Sequence, residues 1–262
     1  RGEAGRKVAV LQYVVPAGPG FKDHFSAQTA GYARHRPSYP DELFAYLAGL
    51  TGRRLAWDCA TGNGQAALAL ARYFERVIAT DASQAQIDAA VPHPGVSYRV
   101  ATAELSGLHE DSVDLVTVGQ ALHWFDTDHF FAEASRVLVE GGVVAAWCYE
   151  TCSVSPRCDA TIERLYTDIV GPFWPPERRL IEDRYAGIVF PGTDPGAPEF
   201  EMTARWTADE MLGYLRTWSA CQRYRREHGD DPVRLIEDEL RMQWGTGQRN
   251  VRWPLTVKVA RL

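Results

Sequence analysis

Long apolar runs are missing from the 262-residue sequence: none approaches the ~20 residues that a membrane-spanning helix needs. Basic excess is missing too. The 28 Lys and Arg stand against 34 Asp and Glu, a formal net charge of −6, which argues against a dedicated nucleic-acid binder. Cysteine is sparse: Cys59, Cys148, Cys152, Cys158 and Cys221 are odd in number and form no Cys-x-x-Cys pair. That excludes a recognisable zinc site or disulfide framework and predicts free thiols in a reducing, cytoplasmic setting. There are no internal repeats and no low-complexity tract.

The charged segment 1–7 and the mostly apolar 8–15 outline a short signal peptide. Gln12 interrupts the apolar run and no clean small-x-small site follows, so 1–20 reads as an N-terminal arm. The remainder, 21–262, reads as one α/β domain, with 45% hydrophobic and 24% charged residues.

Apolar runs predict strands near 54–59, 76–80, 96–100, 113–119 and 142–149, with helices near 64–74, 83–90 and 127–139 between them. This alternation predicts a doubly wound, mostly parallel sheet with helices on both faces. Asp41 is expected to cap a helix through about residue 50. Segment 151–192, interrupted by Pro156 and by Gly171-Pro172-Phe173-Trp174-Pro175-Pro176, reads as a helical lid or insertion. Further strands are expected at 200–206 and 251–262, which brings the sheet to seven. A helix over 207–226 opens with a Thr207/Glu210 capping box, and a last helix spans 232–243.

The densest signal lies at the first strand's end. Asp58-Cys59-Ala60-Thr61-Gly62-Asn63-Gly64-Gln65 reads as an acidic strand end, a glycine turn and a helix start. Such a turn lets backbone approach a ligand and points free N–H groups at it. Asp81 closes the next strand 19 residues after Gly62 (81 − 62), near the ~20-residue spacing of a ribose-binding acid. The unit therefore binds a nucleoside. Gly62-x-Gly64-x-x-Ala67 formally fits a dinucleotide site, but Asp58 would repel a pyrophosphate and suits an amino group.

At these residues the chain resembles class I S-adenosylmethionine-dependent methyltransferases. Asp58 to Gly64 resembles their first motif, Asp81 their ribose-binding acid, and 136–142 the helix and turn before the fifth strand. Tyr32-x-x-x-Arg36-Pro37-x-Tyr39-Pro40, Trp57-Asp58 and His123-Trp124-Phe125 resemble the trans-aconitate methyltransferase-like enzymes, which act on small molecules. The resemblance is good over 21–150. Three positions depart from it: Ala60 replaces a glycine, Val139-Glu140 a lysine-proline pair, and Thr102 the acid that meets the adenine amino group. Ala60 is tolerable there with φ below zero.

The resemblance implies a Rossmann-like fold and S-adenosylmethionine as cofactor. Backbone at Cys59, Ala60, Gly62 and Gly64 would cradle its methionine end beside Asp58, with Asp81 on the ribose. Ala82 and Gln86 would flank the adenine and Ala103 address its edge. Gln120 would face the sulfonium, and Tyr32 and Arg36 would close over the cofactor. His123 and Trp124 would line the acceptor site, His123 also serving as the proton acceptor if the substrate is a hydroxyl or amine. No metal is implied. Val118-Gly119-Gln120-Ala121 stands where amino-methylating nucleic-acid and protein enzymes carry Asn/Asp-Pro-Pro-Tyr. With the acidic charge, this points to a small-molecule acceptor, a carboxylate or another O or N nucleophile. A cofactor-binding protein without catalysis and a nicotinamide-dependent oxidoreductase are the rivals.

Overall fold

The computed structural model describes residues 37–262. The expected arm, Tyr32 and Arg36 lie outside the described residues. Seven strands form one sheet: β1 (Leu55–Cys59), β2 (Arg76–Asp81), β3 (Val96–Val100), β4 (Val113–Gly119), β5 (Leu138–Tyr149), β6 (Phe200–Trp206) and β7 (Arg249–Arg261). Their order is β3-β2-β1-β4-β5-β7-β6. The first five run parallel, while β7 is antiparallel to both neighbours. The order reverses at β1, so the carboxyl ends of β1 and β4 flank the crevice where open α/β sheets bind ligands.

Side chains alternate across the sheet with period two. Ala56, Leu115, Val143, Ala145 and Trp147 pack on one face with α1 (Asp41–Gly49) and α2 (Gln65–Leu70). The same cluster takes in α5 (Pro156–Arg164), α7 (Ala208–Arg216), α8 (Ser219–His228) and α9 (Arg234–Trp244). Trp57, Cys59, Val116, Val118, Val144 and Cys148 pack on the other face, against α4 (Thr127–Val137) and α6 (Arg178–Glu182). The helix after β2, α3 (Gln84–Ala89), is capped by Ser83. β1 is buried throughout and β4 up to its last residue, as a doubly covered sheet requires. All five cysteines are buried and unpaired. No helix among the described residues is long and apolar enough to cross a membrane.

Four local expectations are corrected. Asp41 is the first residue of α1 and not its cap: Pro40 holds that place, and the Asp41 carboxylate pairs with Arg72. β5 starts at Leu138, because the two glycines form a bulge within the ladder. Val113 pairs with Leu138 and Leu115 with Val143, so five steps on β5 (143 − 138) oppose two on β4 (115 − 113). The helix expected over 207–226 is two helices, broken where Trp218 turns extended (φ −62, ψ 136). That break seats the buried indole of Trp218 against Tyr166, Trp174 and Tyr214. The Thr207/Glu210 capping box is present at the start of the first of the pair. Finally, Ala60 has φ +53 where a negative value was expected. Its carbonyl-side neighbour is pinned by the strand ladder, since the Thr61 amide donates to the Thr80 carbonyl at 2.9 Å.

Candidate functional site

The turn after β1 is held from below by two carboxylates. Asp58 is 1% exposed, not the solvated strand end its position suggests. The Thr61 hydroxyl donates to one of its oxygens at 2.5 Å and the Thr117 hydroxyl to the other at 2.8 Å. The Ala67 amide, an otherwise orphaned donor in the first turn of α2, also faces it. Gly64, which precedes that helix, has φ +89 and offers no side-chain cap, so the strand-end acid takes over the task. Burial pushes the Asp58 carboxyl up to about 6, against the pull of the two hydroxyls.

Asp81 grips the turn from β2. One carboxylate oxygen accepts the Gly62 amide at 2.9 Å and the other accepts the Ser83 amide at 2.9 Å. The cap of the following helix is Ser83, whose hydroxyl accepts the Gln86 amide. One half-buried carboxylate therefore holds a backbone amide in each of two turns, Gly62 after β1 and Ser83 after β2.

Among the described residues, a Cβ built on Gly62 meets nothing nearer than the Gln86 side-chain oxygen at 3.9 Å. Gly64, by contrast, backs onto the Tyr98 ring, with Cε1 at 2.9 Å from such a Cβ. Gly62 thus faces a void bordered by Gln86, while Gly64 faces packed protein. Ala82 is half-buried beside this void, and Ala103 is 8% exposed in the turn after β3, where Thr102 and Leu105 bridge. Glu133 on α4 fixes that turn, accepting the Ser106 amide at 2.9 Å and the Arg136 guanidinium at 2.7 Å. The donor set of this region, backbone amides and one ribose-range carboxylate beside an open void, fits a nucleoside.

Beyond β4 lies a second cavity, roughly 590 Å³ with its open mouth included. It is lined by Gln120, His123 and Trp124 from the β4 end, by Tyr149 and Glu150 from the β5 end, and by Trp174, Arg178, Tyr214 and Trp218 from later segments. Gln120 does not aim its amide outward: it donates to the Tyr149 carbonyl at 3.1 Å and accepts the Tyr149 amide at 2.8 Å. With φ +55, the residue bends the chain out of β4, and the amide pair ties that bend to β5. His123 is 7% exposed, and its Nδ1 lies 3.3 Å from the Tyr185 hydroxyl. Burial, reinforced by the Arg178 charge, lowers its imidazole to about 3, so the ring is neutral at ordinary pH. No His, Cys, Asp and Glu group among the described residues is arranged to hold a metal.

His123, Trp124 and Gln120 thus share one cleft, while Asp58 and Asp81 are brought together by the turn between β1 and the following helix. Sequence reasoning missed Arg178, Tyr185, Tyr149 and Tyr214. Arg178 and Tyr185 come from a segment without periodic signal, Tyr149 and Tyr214 from an expected strand and an expected helix, and only the tertiary fold brings the four to the β4 end. Of the tryptophans, Trp124, Trp174 and Trp218 reach the cleft, and Trp57, Trp147, Trp244 and Trp253 are fully buried.

A methyltransferase-domain family model matches residues 57–146, from β1 into β5. A provisionally assigned methyltransferase of Dictyostelium discoideum is 34% identical over 239 residues, covering 86% of this chain and 88% of its own. A provisionally assigned S-adenosylmethionine-dependent methyltransferase of Saccharomyces cerevisiae, CRG1, is 24% identical over 248 residues, covering 78% and 83%. Among solved structures, a provisionally assigned type II methyltransferase from Anaeromyxobacter dehalogenans shares 45% identity. It has a TM-score of 0.81 and covers 86% of this chain and 97% of that one. The chain belongs to the class I S-adenosylmethionine-dependent methyltransferases, with S-adenosylmethionine as its methyl donor.

Proposed function

We propose that this enzyme methylates a small molecule bound in the cleft beyond β4. The observation that carries this reading is the cleft itself. Its aromatic walls, with a few polar groups at Gln120, His123 and Arg178 among them, suit a compact ligand held by shape and a small number of polar contacts. The net charge of −6 argues in the same direction, against a nucleic-acid substrate. His123-Trp124, part of the likeness to trans-aconitate methyltransferase-like enzymes, lines this cleft and supports a carboxylate or other small O or N nucleophile as acceptor.

In this reading the cofactor lies along Cys59, Ala60, Gly62 and Gly64. The ribose meets Asp81, the adenine sits between Ala82, Gln86 and Ala103, and the methionine end lies near Asp58. Bound S-adenosylmethionine supplies a methyl group whose carbon–sulfur bond breaks with both electrons kept on sulfur. The chain's task is to hold the nucleophile in line with that methyl group and to keep water out. Gln120 contributes by fixing the bend between β4 and the cleft, and Tyr32 and Arg36 are proposed to close over the site. Segment 151–192 supplies Trp174 and Arg178 as a lid.

Calorimetric titration with S-adenosylhomocysteine, followed by a methyl-transfer screen over carboxylic acids, phenols and amines, tests the proposal. Micromolar binding with transfer to one small acceptor supports it. Binding without turnover across the panel would favour a sensor, and preference for a dinucleotide would revive the oxidoreductase.

A further inference from the structure

His123 and Tyr185 form a buried pair at the edge of the acceptor cleft. Tyr185 is 0% exposed, so its hydroxyl proton needs a protein acceptor. The backbone amides of Leu122 and His123 face the hydroxyl oxygen and occupy its acceptor side. Among the described residues the acceptor in reach of its proton is His123 Nδ1, at 3.3 Å. An imidazole that accepts at Nδ1 and is neutral carries its proton on Nε2. That nitrogen has no partner among the described residues, and the ring lines the cleft.

Backbone strain is concentrated at this pair. Arg184 and Tyr185 are consecutive non-glycine residues at φ +53 and +55. Side chains rarely adopt that region, and such strain persists where the surroundings demand it. Here it drives the Tyr185 side chain inward to His123 and the Arg184 side chain outward to Glu150, at 2.6 Å. The second contact occupies Glu150, the one carboxylate lining the cleft among the described residues.

Arg178 completes the arrangement. Its Nε donates to the Tyr166 hydroxyl at 2.9 Å, and its plane lies 4.8 Å from the Trp174 ring and 5.4 Å from that of Tyr166. The Tyr166 hydroxyl in turn donates to Glu182. The guanidinium is therefore pre-oriented, and no carboxylate is paired with it among the described residues.

We propose that Tyr185 locks His123 as the Nε2–H tautomer, so that His123 and Arg178 bind the acceptor as an oxyanion and His123 is not a base. The inference rests on the cleft being the acceptor site, and it narrows the substrate to molecules that arrive ionised. The balance then closes without proton transfer: an oxyanion that gains a methyl group becomes neutral and has no proton to lose. Tyr185 is a positioning residue, since it acts only through His123.

Long-range proton–nitrogen spectra of protein labelled in its histidine rings test this directly, with His123→Gln identifying the His123 signals. A protonated Nε2 and an unprotonated Nδ1, unchanged from pH 8 to pH 5, are expected. In Tyr185→Phe, with a cooperative melt showing it folded, the His123 signals should turn to a mixture of tautomers. A protonated Nδ1, titration near the ordinary histidine value, or spectra unaltered in Tyr185→Phe would each overturn the lock. Titration with sodium benzoate and with benzyl alcohol, in the presence of S-adenosylhomocysteine, tests the oxyanion site. Benzoate should shift the His123 Nε2 signal at least tenfold more strongly than the alcohol, and Arg178→Met should abolish the difference. Equal shifts, no shift with either, or a difference that survives in Arg178→Met would overturn it. These readouts need no turnover, so a failed acceptor screen and a failed tautomer lock remain separate results.

Discussion

The Gly62 amide donates to Asp81 at 2.9 Å, so the acid that ends the second strand also shapes the turn after the first. One side chain then has two duties, and its removal has two readouts. Asp81→Ala should weaken S-adenosylhomocysteine by about tenfold or more, as loss of charge-assisted hydrogen bonds predicts. It should also cost roughly 1–3 kcal/mol of stability, because two backbone amides lose their acceptor. Calorimetry and urea unfolding on the same variant measure both, and intact affinity would remove Asp81 from the cofactor site.

The two turn glycines should fail differently. At Gly64 a new Cβ strikes the Tyr98 ring at φ +89, so Gly64→Ala should cost several kcal/mol, strain and clash together. At Gly62 no described atom lies nearer than 3.9 Å, so Gly62→Ala should cost only the backbone strain, about 1–2 kcal/mol, while its methyl group intrudes on the cofactor. Thermal melts with and without S-adenosylhomocysteine separate the two: Gly62→Ala should melt only a few degrees below wild type and lose the ligand-induced rise. Ala60→Gly should raise stability by up to about 1 kcal/mol, because φ +53 then carries no Cβ penalty.

Asp58 predicts an unusual pH dependence. Its carboxyl titrates at about 6 when folded and 3.8 when unfolded, so the native state binds the extra proton between those values. Its contribution is full below pH 3.8 and is lost as pH rises through 6, by roughly 3 kcal/mol. Asp58→Asn removes the titration. Relative to wild type, the variant should gain stability as pH rises from 4 to 7, whatever its absolute level. Parallel stability–pH curves for the two proteins would contradict the assignment.

His123 works with the opposite sign. Its ring is lowered to about 3 from 6.5, so its contribution is full above pH 6.5 and is lost as pH falls toward 3. The full shift is worth up to about 5 kcal/mol. His123→Gln should therefore unfold at lower pH than wild type, and an acid midpoint that does not move would show the ring to be more solvated than the structure has it.

Much of this architecture was legible because it is local. Strand runs such as 55–59 and 113–119 are apolar enough to announce themselves, and Gly62 to Asp81 is a one-unit pattern of strand, turn, helix and acid. What escaped was set by contacts distant in sequence. The break at Trp218 follows from an indole seeking Tyr166, Trp174 and Tyr214, against a helical pattern that ran on without it. The sign of φ at Ala60 depends on the Thr80 carbonyl, a partner on another strand. For the cleft, His123 and Trp124 were visible because they follow a strand directly. Arg178 and Tyr185 were not, since nothing in 151–192 shows which side chains turn inward.

The sheet order carries an evolutionary consequence. Everything proposed to grip the methyl donor among the described residues precedes Gln120, and Trp174, Arg178, Tyr214 and Trp218 of the acceptor cleft come after Tyr149. Drift in the later half of the chain can then retune which molecule is methylated while the earlier half keeps the same donor. On this division of labour, relatives alike over their first half need not share a substrate, and a reliable guide to substrate would come from comparing the residues around Arg178 and Trp218.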